Sequence, residues 1–291
     1  MPSFRPFFKA LAALSLLLVV QGCTALTVYN DVVPQDREKE IVKKDIAYGT
    51  EHRQELDIYL PQKNVPGKDV IVFFYGGSWK LGRKEELSFV ANALTQRGYV
   101  VVVPDYRLVP EVRYPDFVKD SAKAVAWTYR NIASYGGNPR RIFISGHSAG
   151  AYNAMMVALA PEFLGAEGLS PSILKGVIGV SGPYDFLPFQ YMAEHRAFDS
   201  AAPDLESTQP VNRARSGGGT PPVYLLAGAA ETLVPPKNPR NMAAALKKAG
   251  KSVQVKLYPG ARHLDMLFAF SKTDRDKASV LDDMVAWIAR H

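Results

Sequence analysis

The sequence predicts an α/β protein, a doubly wound and mostly parallel sheet with a small cap inserted late in the chain. Short apolar runs recur along the 291 residues, stretches with helical spacing separate them, and turn residues bound most of the runs. Strands alternating with helices require parallel pairing through right-handed crossovers, and hence a sheet covered on both faces.

Two β-like stretches, 39–48 and 53–60, open the globular part; the second places Leu56, Ile58 and Leu60 on one face. The apolar run Val70 to Tyr75 stops at Gly76-Gly77 and reads as a strand buried on both sides. A helical candidate at 84–97 leads to the strand Tyr99 to Pro104, and 116–134 carries Val118, Ala122, Val125 and Tyr129 at helical spacing. After the break Gly136-Gly137-Asn138-Pro139 come a strand from Arg141 to Ser145, a turn containing Ser148 and a helix to Ala160. Further strands are expected at 175–181, 222–228 and 252–258, with helices near 238–249 and 274–290. Between Pro183 and Pro222 the alternation fails, and Ser216-Gly217-Gly218-Gly219 adds flexible composition. An irregular stretch of that length in a compact domain is commonly a lid or binding loop, so 184–220 is expected to form a small cap.

With 47% hydrophobic residues, a chain of this size buries about three quarters of the surface it exposes when unfolded. The formal charge is +7. Its Lys and Arg residues are scattered rather than gathered on one segment, so nucleic acid is not an expected partner. A mild basic excess suits an anionic membrane surface.

The N-terminus reads as an address. Arg5 and Lys9 precede an apolar run, Ala10 to Val20, broken only by Ser15, and then Val20-Gln21-Gly22-Cys23. That run is shorter than the ~20 residues a membrane-spanning helix needs, and the order of parts is that of a secretory signal. Cys23, the single cysteine, stands where bacterial lipoproteins carry the residue that is acylated after cleavage, and the stretch resembles their lipobox, with Gln21 unusual for its slot. A plain secretory peptide with an incidental Cys23 is the alternative. The expected organisation is a signal at 1–23, a polar tether at 24–38 and one domain at 39–291. The chain is expected to be exported and held at the periplasmic face of a bacterial membrane by its N-terminal lipid, or otherwise to be periplasmic or secreted. A mature chain beginning at position 23 has no disulfide.

The chemistry centres on Gly146-His147-Ser148-Ala149-Gly150, a G-x-S-x-G sequence placed after a strand and before a helix. In that context the serine sits on a sharp turn that projects its hydroxyl into a cleft. The Ala149 amide then lies at a helix N-terminus, where an unpaired N–H faces a developing oxyanion. Tyr75-Gly76-Gly77-Ser78-Trp79 follows the strand at 70–75, and its glycines let the backbone approach a carbonyl oxygen closely. The amides of Gly77 and Ser78 are therefore the other oxyanion donors expected. Among the histidines, His263 follows the last strand by a short loop and is the expected general base, completing the chain order of serine, acid and histidine. No cluster of His, Cys and carboxylates has metal-ligand spacing, and Gly76-Gly77 lacks the Lys of a phosphate loop, so neither metal nor cofactor is expected.

Together with Asp105-Tyr106-Arg107-Leu108-Val109-Pro110-Glu111, Tyr114-Pro115 and Tyr135-Gly136-Gly137-Asn138-Pro139-Arg140-Arg141-Ile142, these motifs resemble α/β-hydrolase serine esterases of the hormone-sensitive-lipase and arylformamidase-like (BD-FAE) type over about residues 50–290. Two departures stand out. Tyr75 occupies the place of a histidine that braces the oxyanion loop in that family; its hydroxyl is expected to brace the loop or to face the substrate, beside Trp79. The family's acid lies in Gly-x-x-Asp-x-x-Val-Pro, and here Gly228-Ala229-Ala230-Glu231-Thr232-Leu233-Val234-Pro235 implies Glu231, with Asp185 and Asp265 as rivals. The resemblance implies a carboxylesterase acting on short or medium acyl or aryl esters. An arylformamidase or other amidase is the enzymatic alternative, and an inactive membrane-anchored binding scaffold the non-enzymatic one. Trp79, Tyr75, Phe186, Phe189 and Tyr191 are candidates to line an apolar pocket. The oligomeric state is not legible.

Overall fold

Each apolar run becomes a strand, and each helical stretch returns the chain to the same edge of the sheet. The computed structural model describes residues 25–36, 41–62, 67–214 and 219–291. Its strands are β1 (Ile41–Ala47), β2 (Glu55–Leu60), β3 (Lys68–Phe74), β4 (Val100–Pro104), β5 (Gly137–His147), β6 (Leu174–Val180), β7 (Val223–Gly228) and β8 (Val253–Tyr258). They form one sheet in the order β1-β2-β4-β3-β5-β6-β7-β8. β2 pairs antiparallel with both β1 and β4, and every pairing from β4 through β3 to β8 is parallel. The half-polar β1 and β8 take the two edges, while β3, β4 and β6, rich in Val, Ile and Phe, are central and buried.

The helices are α1 (Ala25–Val32), α2 (Ser88–Thr95), α3 (Asp116–Asn131), α4 (Ala149–Leu159) and α5 (Pro161–Gly165), followed by α6 (Met192–Phe198), α7 (Pro210–Arg213), α8 (Lys237–Lys248), α9 (His263–Phe268) and α10 (Val280–Ile288). Side-chain alternation along β5 shows the sheet covered on both faces. Phe143 meets Trp287 of α10 edge-on, with ring centroids 6.2 Å apart. Gly146, of opposite parity, lies against Gly150 of α4, where an added Cβ would come within 2.4 Å of the Gly150 carbonyl carbon. The small residue there lets helix and strand approach closely.

Three expectations need correction. The polar composition of 24–38 predicts a tether, but its described part, 25–36, is helix α1 and a following segment docked on the domain. Tyr29 stacks on Phe268 with centroids 4.0 Å apart and meets Phe89 edge-on, while Asn30 Nδ2 donates to the Glu85 carbonyl at 3.1 Å. The apolar Leu26 and Tyr29, spaced three apart, give the helix a face to bury. The helix expected over 84–97 begins as a 3₁₀ turn, Lys84–Leu87, because the Lys84 amide and ammonium are drawn into bonds with Asp105, Asp45 and Glu85. The terminal helix is confined to Val280–Ile288, since Ser271 to Lys277 is occupied in side-chain and turn contacts that hold α1.

The described part of the 184–220 insertion, 184–214 and 219–220, is built around an aromatic cluster. Phe186, Phe189 and Phe198 pack with Trp79, Phe117 and Tyr152, their centroids 4.7–6.5 Å apart. Ser216, Gly217 and Gly218 lie outside the described residues, as do Cys23 and the rest of the expected signal. Among the described residues no helix is long and apolar enough to cross a membrane.

Candidate active site

The site lies at the C-terminal ends of the parallel strands, where ligands of open α/β sheets bind. Ser148 ends β5 and caps α4 with φ 55° and ψ −123°, a conformation that costs a non-glycine residue about 1–3 kcal/mol and is held by its surroundings. Its amide donates to the Val180 carbonyl at 2.9 Å, tying the turn to β6. Gly150 must be small, since a Cβ there would fall 2.2 Å from the Phe74 carbonyl oxygen. The hydroxyl makes no hydrogen bond among the described residues and lines a cavity of about 240 Å³.

The acid and the histidine arrive on two loops knitted together by their backbones: the Ala229 amide donates to the Tyr258 carbonyl at 2.8 Å and the Ala230 amide to the Ala261 carbonyl at 3.1 Å. His263 Nδ1 donates to Glu231 Oε1, which leaves Nε2 as the basic nitrogen. Both rivals are engaged elsewhere, Asp185 with Asn241 Nδ2 and Asp265 with the Arg262 amide. The remaining histidines separate cleanly. His52 and His195 pair with Glu111 and Asp199 at the surface, and His291 stacks on Trp287. His147 is buried, its ring centroid 4.6 Å from that of His263, and its Nε2–H donates to the His263 carbonyl at 3.0 Å. Burial, and then the neighbouring His263, hold the His147 imidazole well below its ordinary range, so it stays neutral and serves as a fixed strut between the residue before Ser148 and the backbone of His263.

The sequence reading missed Ser181. Its hydroxyl donates to Glu231 Oε2 at 2.8 Å, so both carboxylate oxygens are occupied. Ser181 has φ 50° at the end of β6. A serine directly after a buried parallel strand and before Gly182-Pro183 is the available signal.

Ser78, Trp79 and Ala149 line the cavity beside Ser148. Gly77, with φ +116°, begins the turn behind them, and its carbonyl accepts from the amides of Lys80 and Leu81, both at 3.0 Å. The Trp79 indole N–H donates to Asn153 Oδ1 at 3.1 Å, holding the ring as a wall of the cavity. Tyr191 and Leu233 form other parts of the lining, Phe186 faces an adjoining cleft, and Phe189 packs on Phe186.

Tyr75, expected to brace the loop or to face the substrate, does not line the cavity. Its side chain is fully buried, pointing away from the cavity into a polar cluster under the 76–82 turn. Its hydroxyl accepts from Arg53 Nη2 at 2.8 Å and donates to the Tyr106 carbonyl at 3.3 Å, while the Tyr106 hydroxyl returns a bond to the Tyr75 carbonyl at 2.8 Å. The two rings stack at 4.5 Å. Arg53 also donates to the Gly82 carbonyl at 2.6 Å and pairs with Asp105 at 3.2 Å. Burial, reinforced by Asp105, pushes the Tyr75 hydroxyl well above its ordinary value; burial likewise lifts Asp105 to about 6 against the pull of Arg53. The brace lost with the family's histidine is supplied by Tyr75 and Arg53. No group of His, Cys, Asp and Glu among the described residues is disposed to hold a metal ion.

A serine on a strained turn between a parallel strand and a helix, facing a glycine loop, with a carboxylate-bonded histidine after the last strand, defines an α/β hydrolase. The BD-FAE family model matches residues 56–246, and the chain belongs to that family. Isoprenylcysteine alpha-carbonyl methylesterase of Arabidopsis thaliana is 30% identical over 266 residues, covering 85% of this chain and 62% of the relative. Kynurenine formamidase of Danio rerio is 34% identical over 144 residues, 50% of this chain and 47% of the relative. The chain thus spans less than two thirds of either relative's length. The apo form of Thermogutta terrifontis esterase 2 superposes with a TM-score of 0.70 at 25% identity, covering 86% of this chain and 94% of that one.

Proposed function

We propose that the protein is a serine carboxylesterase for short or medium acyl or aryl esters. The observation that carries this is the Glu231–His263 bond beside the Ser148 turn. Ser148 Oγ attacks the ester carbonyl as His263 Nε2 takes its proton, and Glu231 stabilises the imidazolium without taking a proton itself. The amides of Gly77, Ser78 and Ala149 receive the oxyanion. Collapse of the tetrahedral intermediate breaks the C–O bond, and His263 returns the proton to the leaving alcohol. Water, activated by the same imidazole, then releases the acid and regenerates Ser148. The cavity, about 240 Å³, falls just below the ~300–1,000 Å³ typical of sites for drug-sized ligands, which favours a small acyl group. Hydrolysis of p-nitrophenyl acyl esters and labelling by a fluorophosphonate are expected, both abolished in Ser148→Ala; a clean wild-type preparation inert to every chain length and unlabelled by the probe sinks the reading in favour of an inactive scaffold.

A second reading, an arylformamidase or other amidase, is favoured by the 34% identity with kynurenine formamidase. The same machinery serves an amide if His263 protonates a leaving nitrogen. Comparing N-formyl aromatic amides with matched esters decides between them.

We further propose that Cys23 carries a lipid that anchors the chain at the periplasmic face of a bacterial membrane. The support is the order of Arg5, Lys9, the apolar run and the single cysteine. Mass spectrometry of membrane-extracted protein is expected to find an acylated N-terminal Cys23; an unmodified terminus refutes it.

A further inference from the structure

The innermost wall of the Ser148 cavity is a single indole held in an unfavourable backbone. Trp79 is 3% exposed, whereas Tyr191 and Leu233, which also line the cavity, are 43% and 47% exposed. The cavity therefore opens between the cap and the loop after β7 and ends against Trp79. Ser78 and Trp79 both take positive φ, 53° and 56°, in the left-handed region that glycine or asparagine occupies with less strain. A bulky residue stays in such a conformation only where its surroundings fix it.

The contacts that fix it are polar and buried. The indole N–H donates to Asn153 Oδ1 at 3.1 Å, Asn153 Nδ2 donates to Ser121 Oγ at 3.1 Å, and the Ser121 hydroxyl donates to the Phe117 carbonyl at 2.8 Å. Asn153 and Ser121 are fully buried. Asn153 stands in α4, whose other residues are Gly, Ala, Tyr, Met, Val and Leu, and an apolar side chain there would pack without giving up hydration. The amide is tolerated because both its ends are bonded, and one of those bonds is spent on Trp79. Behind the indole lie side chains rather than backbone: Phe198, Tyr152 and Phe117, with ring centroids 4.7, 5.2 and 5.8 Å away.

The order of the sheet assigns the two halves of an ester. Trp79 follows β3, Glu231 and His263 follow β7 and β8, and β5 with Ser148 lies between them in the order β3-β5-β6-β7-β8. His263 returns a proton to the leaving alcohol, so the alcohol lies on the His263 side of Ser148. His263 is not part of the cavity lining, while Ser78, Trp79 and Ala149 are. The acyl chain, on the other side of the carbonyl, is left with the cavity. We infer that the cavity is the acyl subsite, that the buried chain Ser121–Asn153–Trp79 sets the longest acyl group it admits, and that the alcohol, beside the exposed Leu264, is not selected by size. The substrates are then short-acyl esters of alcohols of any length. Trp79 meets the acyl group; Asn153 and Ser121 act through it and are positioning residues. This inference rests on the esterase reading.

The test measures kcat/KM of the full chain for two series, p-nitrophenyl esters from acetate to octanoate and acetates of alcohols from ethanol to octanol. For the wild type, the octanoate is expected to be at least about tenfold poorer than the acetate, since each methylene a pocket cannot take is rejected by about tenfold or more, while the alcohol series varies by less than about threefold. Trp79→Ala is expected to raise the octanoate-to-acetate ratio at least about tenfold and Asn153→Leu at least about threefold, with the octyl-to-ethyl ratio unchanged in both. A general loss of activity cancels in these ratios, so a merely structural role does not move them. Asn153→Leu leaves Trp79 in place and decides the matter if Trp79→Ala does not fold. An acyl ratio unchanged in either folded variant overturns the inference, and so does a rise in the alcohol ratio instead, which would give the cavity to the alcohol. If the wild type hydrolyses neither series and is not labelled by a fluorophosphonate, the esterase reading fails and this inference with it; hydrolysis with unchanged ratios overturns this inference alone.

Discussion

Glu231 has both carboxylate oxygens occupied, one by His263 Nδ1 and one by Ser181. A buried carboxylate so placed has one orientation, and by holding Nδ1 it leaves Nε2 of His263 as the free basic nitrogen. Glu231→Gln keeps the size and can still accept from Ser181, but it offers a neutral amide where the imidazolium forms. We expect kcat to fall on the order of 10²–10⁴-fold with little change in KM, because the loss is confined to the transition state. Undiminished turnover would reassign the acid to Asp185 or Asp265. Motif context and chain order point to Ser148 and His263, and the family resemblance to Glu231, because each occupies a loop whose place in the chain the fold dictates. Ser181, His147 and Arg53 were not legible in this way. Their roles depend on contacts across 50, 116 and 22 positions of sequence, and a single serine, histidine or arginine carries no local pattern that announces such a partner.

The glycine turn at 76–82 is the element whose support sequence comparison left open, since the bracing histidine is absent. Its replacement is spread over two segments: Tyr75 at the end of β3, and Arg53 in the hairpin before β2, reaching Tyr75, Gly82 and Asp105 with one guanidinium. Arg suits this place because its planar fork serves several acceptors at once, which a lysine cannot do. Tyr75→Phe removes the hydroxyl's bonds to Arg53 and Tyr106, and Arg53→Met removes every guanidinium bond and leaves buried acceptors unsatisfied. We expect kcat reductions of about tenfold and about a hundredfold respectively, with KM nearly unchanged, by analogy with the loss of an oxyanion donor. A merely structural effect would instead lower the melting temperature while leaving kcat intact in the folded fraction, and that pattern would remove the turn from the role assigned to it. The strands were read well because buried parallel strands are continuous apolar runs. The short helices α1 and α9 escaped notice because their length leaves little room for periodicity, and the docking of α1 depends on Phe89 and Phe268, remote in sequence.

At the scale of the molecule, residues 148, 231 and 263 come to one edge of the sheet because β5, β7 and β8 run parallel and end there. The two loops that follow β7 and β8 are bonded to each other by backbone amides, so the acid and the histidine move as a unit with the sheet. Helix α1 clasps this arrangement from outside. Tyr29 is stacked on Phe268 at the end of the helix that begins with His263, and its hydroxyl reaches Ser271 and Asp274, while Asn30 holds the 3₁₀ turn that follows the glycine loop. Truncating a half-buried aromatic that also makes hydrogen bonds costs less than the ~3–5 kcal/mol of a fully buried ring, so Tyr29→Ala is expected to lower stability by about 1–3 kcal/mol. If the sheet alone sets the geometry of the site, urea titrations of this variant followed by tryptophan fluorescence and by ester hydrolysis will lose both signals at one, lower midpoint. If α1 also holds the His263 loop in place, hydrolysis will fade at a lower urea concentration than fluorescence. The backbone ties between the two loops favour a single midpoint, and clearly separated transitions would show that the N-terminal helix is part of the support of the active site.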